Sequence, residues 1–156
     1  MSEVLFIFGE GGHCAQMKRL AAQLNLVNTE IVALVDKKNI STFFTKKEYV
    51  TKALRNKHNN TVLSYFSNFY FNLKLIFKLL TKHKFSAVLS TGPGICLIPS
   101  LMFRLFGKEV IFIETWSRFN TKSFTGKCMY YIATHFYVQN KSLLMLYPKA
   151  IYSGRL

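Results

Sequence analysis

Val4-Leu5-Phe6-Ile7-Phe8-Gly9-Glu10-Gly11-Gly12-His13 is the stretch from which the fold is read. Its apolar run has no polar alternation, the pattern of a strand buried on both faces. Glycines then supply a tight turn. From Cys14 to Leu24, Met17, Leu20, Ala21 and Leu24 recur on one helical stripe. Strand, glycine turn and helix together open a parallel sheet. The rest of the chain repeats the alternation. Glu30 to Val35 reads as a strand, and 36–60 as a polar, lysine-rich stretch with a short helix and loops around Phe43 and Phe44. Thr61 to Tyr65 reads as a third strand and Phe66 to Lys82 as a long helix. Strands follow at Ser86–Ser90, Glu109–Ile113, Phe136–Gln139 and Ala150–Tyr152. Helices follow at Cys96–Phe106, Lys122–Ala133 and Lys141–Tyr147. The expected fold is α/β, a Rossmann-like parallel sheet with helices on both faces. At 156 residues, with no linker or repeat, the chain reads as a single domain, 1–156.

Half of the residues are apolar, which excludes global disorder. The formal net charge is +14, which asks for an anionic partner. Fifteen Phe beside so many lysines suit an anionic membrane surface. A nucleic-acid partner is not expected, because the aromatics fall on apolar helical stripes and no nucleic-acid motif is present. The cysteines Cys14, Cys96 and Cys128 are scattered, so neither a metal site nor a disulfide framework is indicated. No cofactor is expected. No run reaches the ~18 apolar residues of a spanning helix. The longest candidate, Ile95 to Phe106, contains Pro99 and Arg104. We expect no signal peptide and a peripheral protein at the cytoplasmic face of a membrane.

Ligands of open parallel sheets bind outside the carboxyl ends of the strands. Three unusual turns leave strands at that edge: Gly9 to His13, Ser90-Thr91-Gly92-Pro93-Gly94, and Glu114-Thr115-Trp116-Ser117-Arg118. Gly11 and Gly12 precede a helix, where free N–H groups can receive a phosphate. The same pair also serves an ordinary turn. His13 reads either as a base or diphosphate donor, or as a capping residue. Gly92, Pro93 and Gly94 read either as a loop backing a ligand or as turn chemistry. Glu114 would orient a sugar hydroxyl or His13, or else cap a helix or pair with Arg118. Cys14 reads as a packed small residue.

The helix from Phe66 carries two apolar rows. Phe66, Phe69, Tyr70, Leu73, Ile76, Phe77 and Leu80 form the continuous one, assigned to the core. Phe71, Leu75 and Leu79 form the second, beside a ridge of Lys74, Lys78 and Lys82. We expect these six residues to face an anionic membrane.

The ordered blocks resemble a known family. Phe8 to His13, Ser90 to Gly94 and Phe112-Ile113-Glu114-Thr115 are followed by Ser123-Phe124-Thr125-Gly126-Lys127, Phe136-Tyr137-Val138-Gln139, Tyr147-Pro148-Lys149-Ala150 and Gly154. This order is similar to PssD-like accessory subunits of capsule and exopolysaccharide glycosyltransferases. It also resembles the membrane-anchoring subunit of the eukaryotic transferase that adds the second N-acetylglucosamine to dolichol diphosphate. The resemblance implies the N-terminal half of a GT-B glycosyltransferase. A separate small donor-binding subunit would hold the UDP-sugar. Transfer, with inversion, would be to a polyprenyl-diphosphate-linked saccharide acceptor. His13 and Glu114 fall on the implied catalytic positions, and Gly11, Gly12, Gly92, Pro93 and Gly94 on the implied acceptor and phosphate loops. The chain reaches Leu156 without a second nucleotide-binding half, as a split enzyme implies, and Gly154-Arg155-Leu156 is expected near the partner. The alternative is a non-catalytic scaffold that brings the partner to the membrane. Two departures stand out. Glu10 occupies a position where small residues are common, and the N-terminal membrane helix of eukaryotic members is not seen.

Overall fold

The structure is a computed structural model that describes residues 2–24, 26, 29–41, 44–45, 47–51 and 62–156, with only the backbone at 2 and 62–65. Strands β1 (Ser2–Phe8), β2 (Thr29–Val35), β3 (Lys47–Val50), β4 (Phe85–Ser90), β5 (Glu109–Ile113), β6 (His135–Val138) and β7 (Ile151–Tyr152) form one seven-stranded sheet. Its order is β3-β2-β1-β4-β5-β6-β7, and every pairing is parallel. Helices α1 (Gly12–Gln23), α2 (Val62–Lys82), α3 (Leu97–Leu105) and α4 (Phe124–Ile132) supply crossovers. This is the Rossmann-like fold expected from the alternation.

Strand residues alternate between two cores. Leu5, Ile7, Val32, Leu34, Val88 and Phe112 point to the side covered by α2, α3 and α4. Phe6, Phe8, Ala33, Val35, Leu89 and Ile113 point to the side covered by α1 through Met17 and Leu20. Both faces are therefore buried, the reason β1 and β2 read as unbroken apolar runs. On the α1 side, Leu89, Ile111, Ile113 and Tyr137 line an apolar cavity of about 280 Å³, bounded also by Leu20 and Leu156.

Two expectations are corrected here. The third strand is Lys47–Val50, not Thr61–Tyr65: α2 already begins at Val62, while 52–61 lie outside the described residues. An edge strand rich in charge gives little apolar signal, so β3 falls inside the stretch 36–60 expected as a short helix and loops. The second correction concerns α2. Its buried face is Asn68, Asn72, Ile76 and Leu79, spaced as one helical stripe, with Leu75 and Leu80 half-buried beside it. Leu79 is buried to 1 % exposure and is not a membrane-facing residue. Of the row assigned to the core only Ile76 and, in part, Leu80 face inward; Phe66 is 69 % exposed, Tyr70 66 % and Phe77 57 %. Asn72 can be inside because its amide donates to the Asn68 carbonyl at 2.9 Å, and Thr51 hydrogen-bonds its oxygen. Phe71, Lys74, Lys78 and Lys82 are exposed, as expected. Neighbouring α3 adds exposed Leu101, Leu105 and Phe106 to the same helical layer.

Candidate functional site

The strand order reverses direction between β1 and β4, the switch point at which α/β sheets open a crevice. The turns after β1, β4 and β5 meet there around a cleft of about 220 Å³. His13, Gly92, Pro93 and Glu114 line it, as does Arg118. Gly11, Gly12 and Gly94 stand in the same turns but outside the lining.

His13 is held by the turn after β4. Its Nδ1 lies 2.7 Å from the Thr91 carbonyl oxygen, and the Thr91 hydroxyl donates back to the His13 carbonyl at 3.2 Å. A carbonyl only accepts, so Nδ1 carries a proton, and in the neutral ring Nε2 is the nitrogen with the lone pair. Gly92 makes room for the ring. A Cβ there would sit 2.9 Å from His13 Cε1, and the φ of 87° disfavours any side chain. The Gly92 N–H is fixed on Ser90 Oγ at 3.1 Å. Gly9 was not singled out by sequence, yet a Cβ on it would fall 2.6 Å from Asp36 Oδ2 and 2.8 Å from Pro93 Cγ. It is the point at which three loops close together.

At the head of α1, Gly11 adopts φ 70° while nothing crowds either glycine. Glu10, the acidic departure, turns its carboxylate to Lys37 at 3.0 Å, with both side chains exposed. Burial pushes the Cys14 thiol above its ordinary value, as befits a packed residue.

Glu114 is 1 % exposed. One carboxylate oxygen accepts from the Thr115 N–H at 3.0 Å and Ser123 Oγ at 2.9 Å; the other accepts from Ser123 Oγ at 3.0 Å and the Tyr147 hydroxyl at 3.1 Å. Ser123 in turn caps α4, accepting from the Gly126 N–H at 2.7 Å. Neither His13 nor Arg118 bonds the carboxylate; the Arg118 guanidinium donates to Thr121 Oγ1 at 3.1 Å. Of the roles open to Glu114, the geometry matches support of a helix cap. Burial, then the Glu114 charge and hydrogen bond, push the Tyr147 phenol well above the ordinary tyrosine value, so it stays a donor. Gly126 is required by this cluster, because a Cβ would lie 1.8 Å from Glu114 Oε2.

The third turn is pinned from β6 outward. Gln139 Nε2 donates to the Glu114 carbonyl at 2.9 Å, and Asn140 Nδ2 to the Trp116 carbonyl at 3.1 Å. Ser142 holds the Phe119 carbonyl. Sequence reasoning did not assign these residues a role. The available signal was Gly126 inside an otherwise helical segment, three residues after Ser123.

The family model described as "Oligosaccharide biosynthesis protein Alg14 like" matches residues 4–156. The chain belongs to the Alg14 family. A curated relative, the UDP-N-acetylglucosamine transferase subunit ALG14 of Rattus norvegicus, is 27 % identical over 178 residues, covering 98 % of this chain and 82 % of that protein. Among solved structures, Acinetobacter baumannii MurG superposes with a TM-score of 0.65 at 17 % identity, over 88 % of this chain and 41 % of that one. UDP-GlcNAc 2-epimerase from Neisseria meningitidis gives 0.67 at 14 % identity, over 98 % and 46 %. The chain thus spans less than half the length of these structures, which share its fold. In this chain the glycine turn, the Gly-Pro-Gly loop and the acidic turn meet at one cleft. The eukaryotic-type resemblance is thereby shown, and the capsule setting is not carried by these relatives. Among the described residues no helix is long and apolar enough to cross a membrane.

Proposed function

We propose that this chain is the acceptor-binding subunit of a two-component, UDP-sugar-dependent inverting glycosyltransferase. It works as the N-terminal-type half of a GT-B enzyme, in lipid-linked, capsular or exopolysaccharide biosynthesis. The observation that carries the reading is His13, with Nδ1 committed to Thr91 and Nε2 left free at the switch-point cleft. There it can serve as general base. The acceptor hydroxyl gives its proton to Nε2 as its oxygen bonds the anomeric carbon, and UDP leaves with the bonding electrons. Glu114 acts as a positioning residue for the α4 cap. The turn at Gly11 and Gly12 leaves the first N–H groups of α1 open to a phosphate, with Glu10 drawn off by Lys37. Gly92, Pro93 and Gly94 form the opposing loop.

A donor-binding partner completes the site by bringing the UDP-sugar. The apolar cavity beside α1 suits it, since an uncovered sheet face of this kind is stabilised by a further apolar layer. The tail borders that cavity: the Leu156 N–H donates to Gln139 Oε1 at 3.1 Å, and its carbonyl accepts from Arg19 at 3.1 Å. Deleting 154–156 is expected to abolish partner pull-down, and unchanged pull-down sinks this placement. The outward aromatics of α2 and the exposed leucines of α3, with Lys74 and Lys78, fit peripheral attachment to an anionic membrane at its cytoplasmic face.

The test is sugar transfer from UDP-sugars to a polyprenyl-diphosphate-linked saccharide in membranes, with this chain alone and with its partner. Activity is expected only in the pair, and His13→Ala should lower kcat roughly 10²- to 10⁴-fold. A pair carrying His13→Ala with unchanged turnover refutes catalysis by this chain and leaves the scaffold reading.

A further inference from the structure

The pinned segment 118–124 carries a cation that lines the cleft and two exposed aromatics that stand next to lining residues in the chain. Arg118 lines the cleft, and among the described residues no carboxylate pairs with it; its guanidinium donates within its own loop to Thr121. The neighbouring Phe119 is 50 % exposed. Phe124 is 77 % exposed and stands between Ser123 and Thr125, both of which line the cleft. These groups do not owe their exposure to a loose chain. Asn140 and Ser142 hold the carbonyls of 116 and 119, and Ser123 is tied to the buried Glu114.

Two phenyl rings held in water expose apolar area that a hydrocarbon would cover, while the solvated guanidinium has no carboxylate partner among the described residues. A ligand that engages both groups carries phosphate and hydrocarbon together. Arginine matches phosphate oxygens with its planar fork of donors. The rings would lie along the first hydrocarbon units next to that phosphate. We propose that Arg118, Phe119 and Phe124 are the specificity-determining residues by which the cleft selects a lipid-borne diphosphate over a soluble one. This rests on the acceptor-site reading above and adds the groups that read the lipid.

The probes are farnesyl diphosphate below its micelle concentration, inorganic diphosphate and farnesol, titrated calorimetrically into the folded full chain. Farnesyl diphosphate should bind about tenfold tighter than inorganic diphosphate or farnesol. Arg118→Ala should weaken both diphosphates by roughly tenfold or more, with Arg118→Lys intermediate. The double variant Phe119→Ser/Phe124→Ser should lower farnesyl diphosphate to the level of inorganic diphosphate and leave the latter unchanged. Equal affinity for the two diphosphates, or wild-type binding by Arg118→Ala, overturns the proposal. So does displacement of farnesyl diphosphate by phosphatidylglycerol vesicles at equal phosphate, since the membrane headgroup would then be the ligand. Normal transfer by the pair with an unchanged acceptor KM in these variants refutes this selection alone. The expected binding without any transfer leaves it standing and refutes the enzymatic reading instead.

Discussion

Gly126→Ala sets two effects of opposite sign against each other. Alanine inside a helix is favoured over glycine by about 1 kcal/mol, so propensity alone predicts a stabilised α4. The added methyl would fall 1.8 Å from Glu114 Oε2 and 2.7 Å from Tyr147 Oη. Neither atom can yield easily, because the carboxylate is buried and its oxygens are shared among Ser123, Thr115 and Tyr147. Hydrogen bonds to a charged group contribute about 1.5–3 kcal/mol each. Losing the Ser123 and Tyr147 bonds costs roughly 3–6 kcal/mol, so the clash prevails by about 2–5 kcal/mol. For a chain of this size that is a fall in Tm of roughly 4–20 °C. Thermal and urea denaturation read it directly. In a double-mutant cycle, adding Gly126→Ala to Glu114→Ala should cost nothing or return about 1 kcal/mol, because the obstructing carboxylate is gone. A Gly126→Ala protein as stable as wild type, or equal penalties in both backgrounds, refutes the reasoning.

Gly92→Ala places a methyl against His13 Cε1 at a φ of 87°, and should lower transfer by the assembled pair roughly tenfold or more while partner pull-down is retained. Unchanged kcat would show that the ring position is immaterial. Glu3 is pushed up by burial, but the His83 side chain and the Lys84 N–H outweigh this and hold its carboxyl below the ordinary 4.5. A depressed carboxyl stabilises above the unfolded value and loses that contribution as pH falls through the folded one. Stability should therefore drop as the pH falls below about 4.5, and Glu3→Gln should flatten that limb; equal slopes refute the linkage. Lys74→Glu/Lys78→Glu/Lys82→Glu should reduce cosedimentation with anionic vesicles roughly a hundredfold, at about 1 kcal/mol per lysine. Phe66→Ser/Phe77→Ser should also reduce it, and wild-type cosedimentation by both variants removes the membrane face.

The alternation of Val4–Phe8, Glu30–Val35, Ser86–Ser90 and Glu109–Ile113 with helices was legible because strands buried twice cannot hide polar residues. The rim turns were legible for a related reason: glycine after an apolar run marks where the backbone must bend sharply. The facing of α2 was not. Both of its rows are apolar, and periodicity measures spacing, not which row meets the sheet. Asn68 and Asn72 decided it by finding partners inside. β3 escaped because an edge strand need not be apolar. The bonding of Glu114 was equally hidden, since Ser123 and Tyr147 are separated from it by 9 and 33 residues.

That last separation imposes an order on folding. The cap of α4 depends on Ser123, which depends on a carboxylate at the end of β5, which depends on a phenol still further along the chain. A growing chain that has emerged only as far as α4 holds a carboxylate that must stay hydrated, so the rim loop stays open and wet. Only when Tyr147 follows can that carboxylate be enclosed, and the wall of the cleft with it. A phenol that follows β6 thus closes a site whose first wall is the turn after β1.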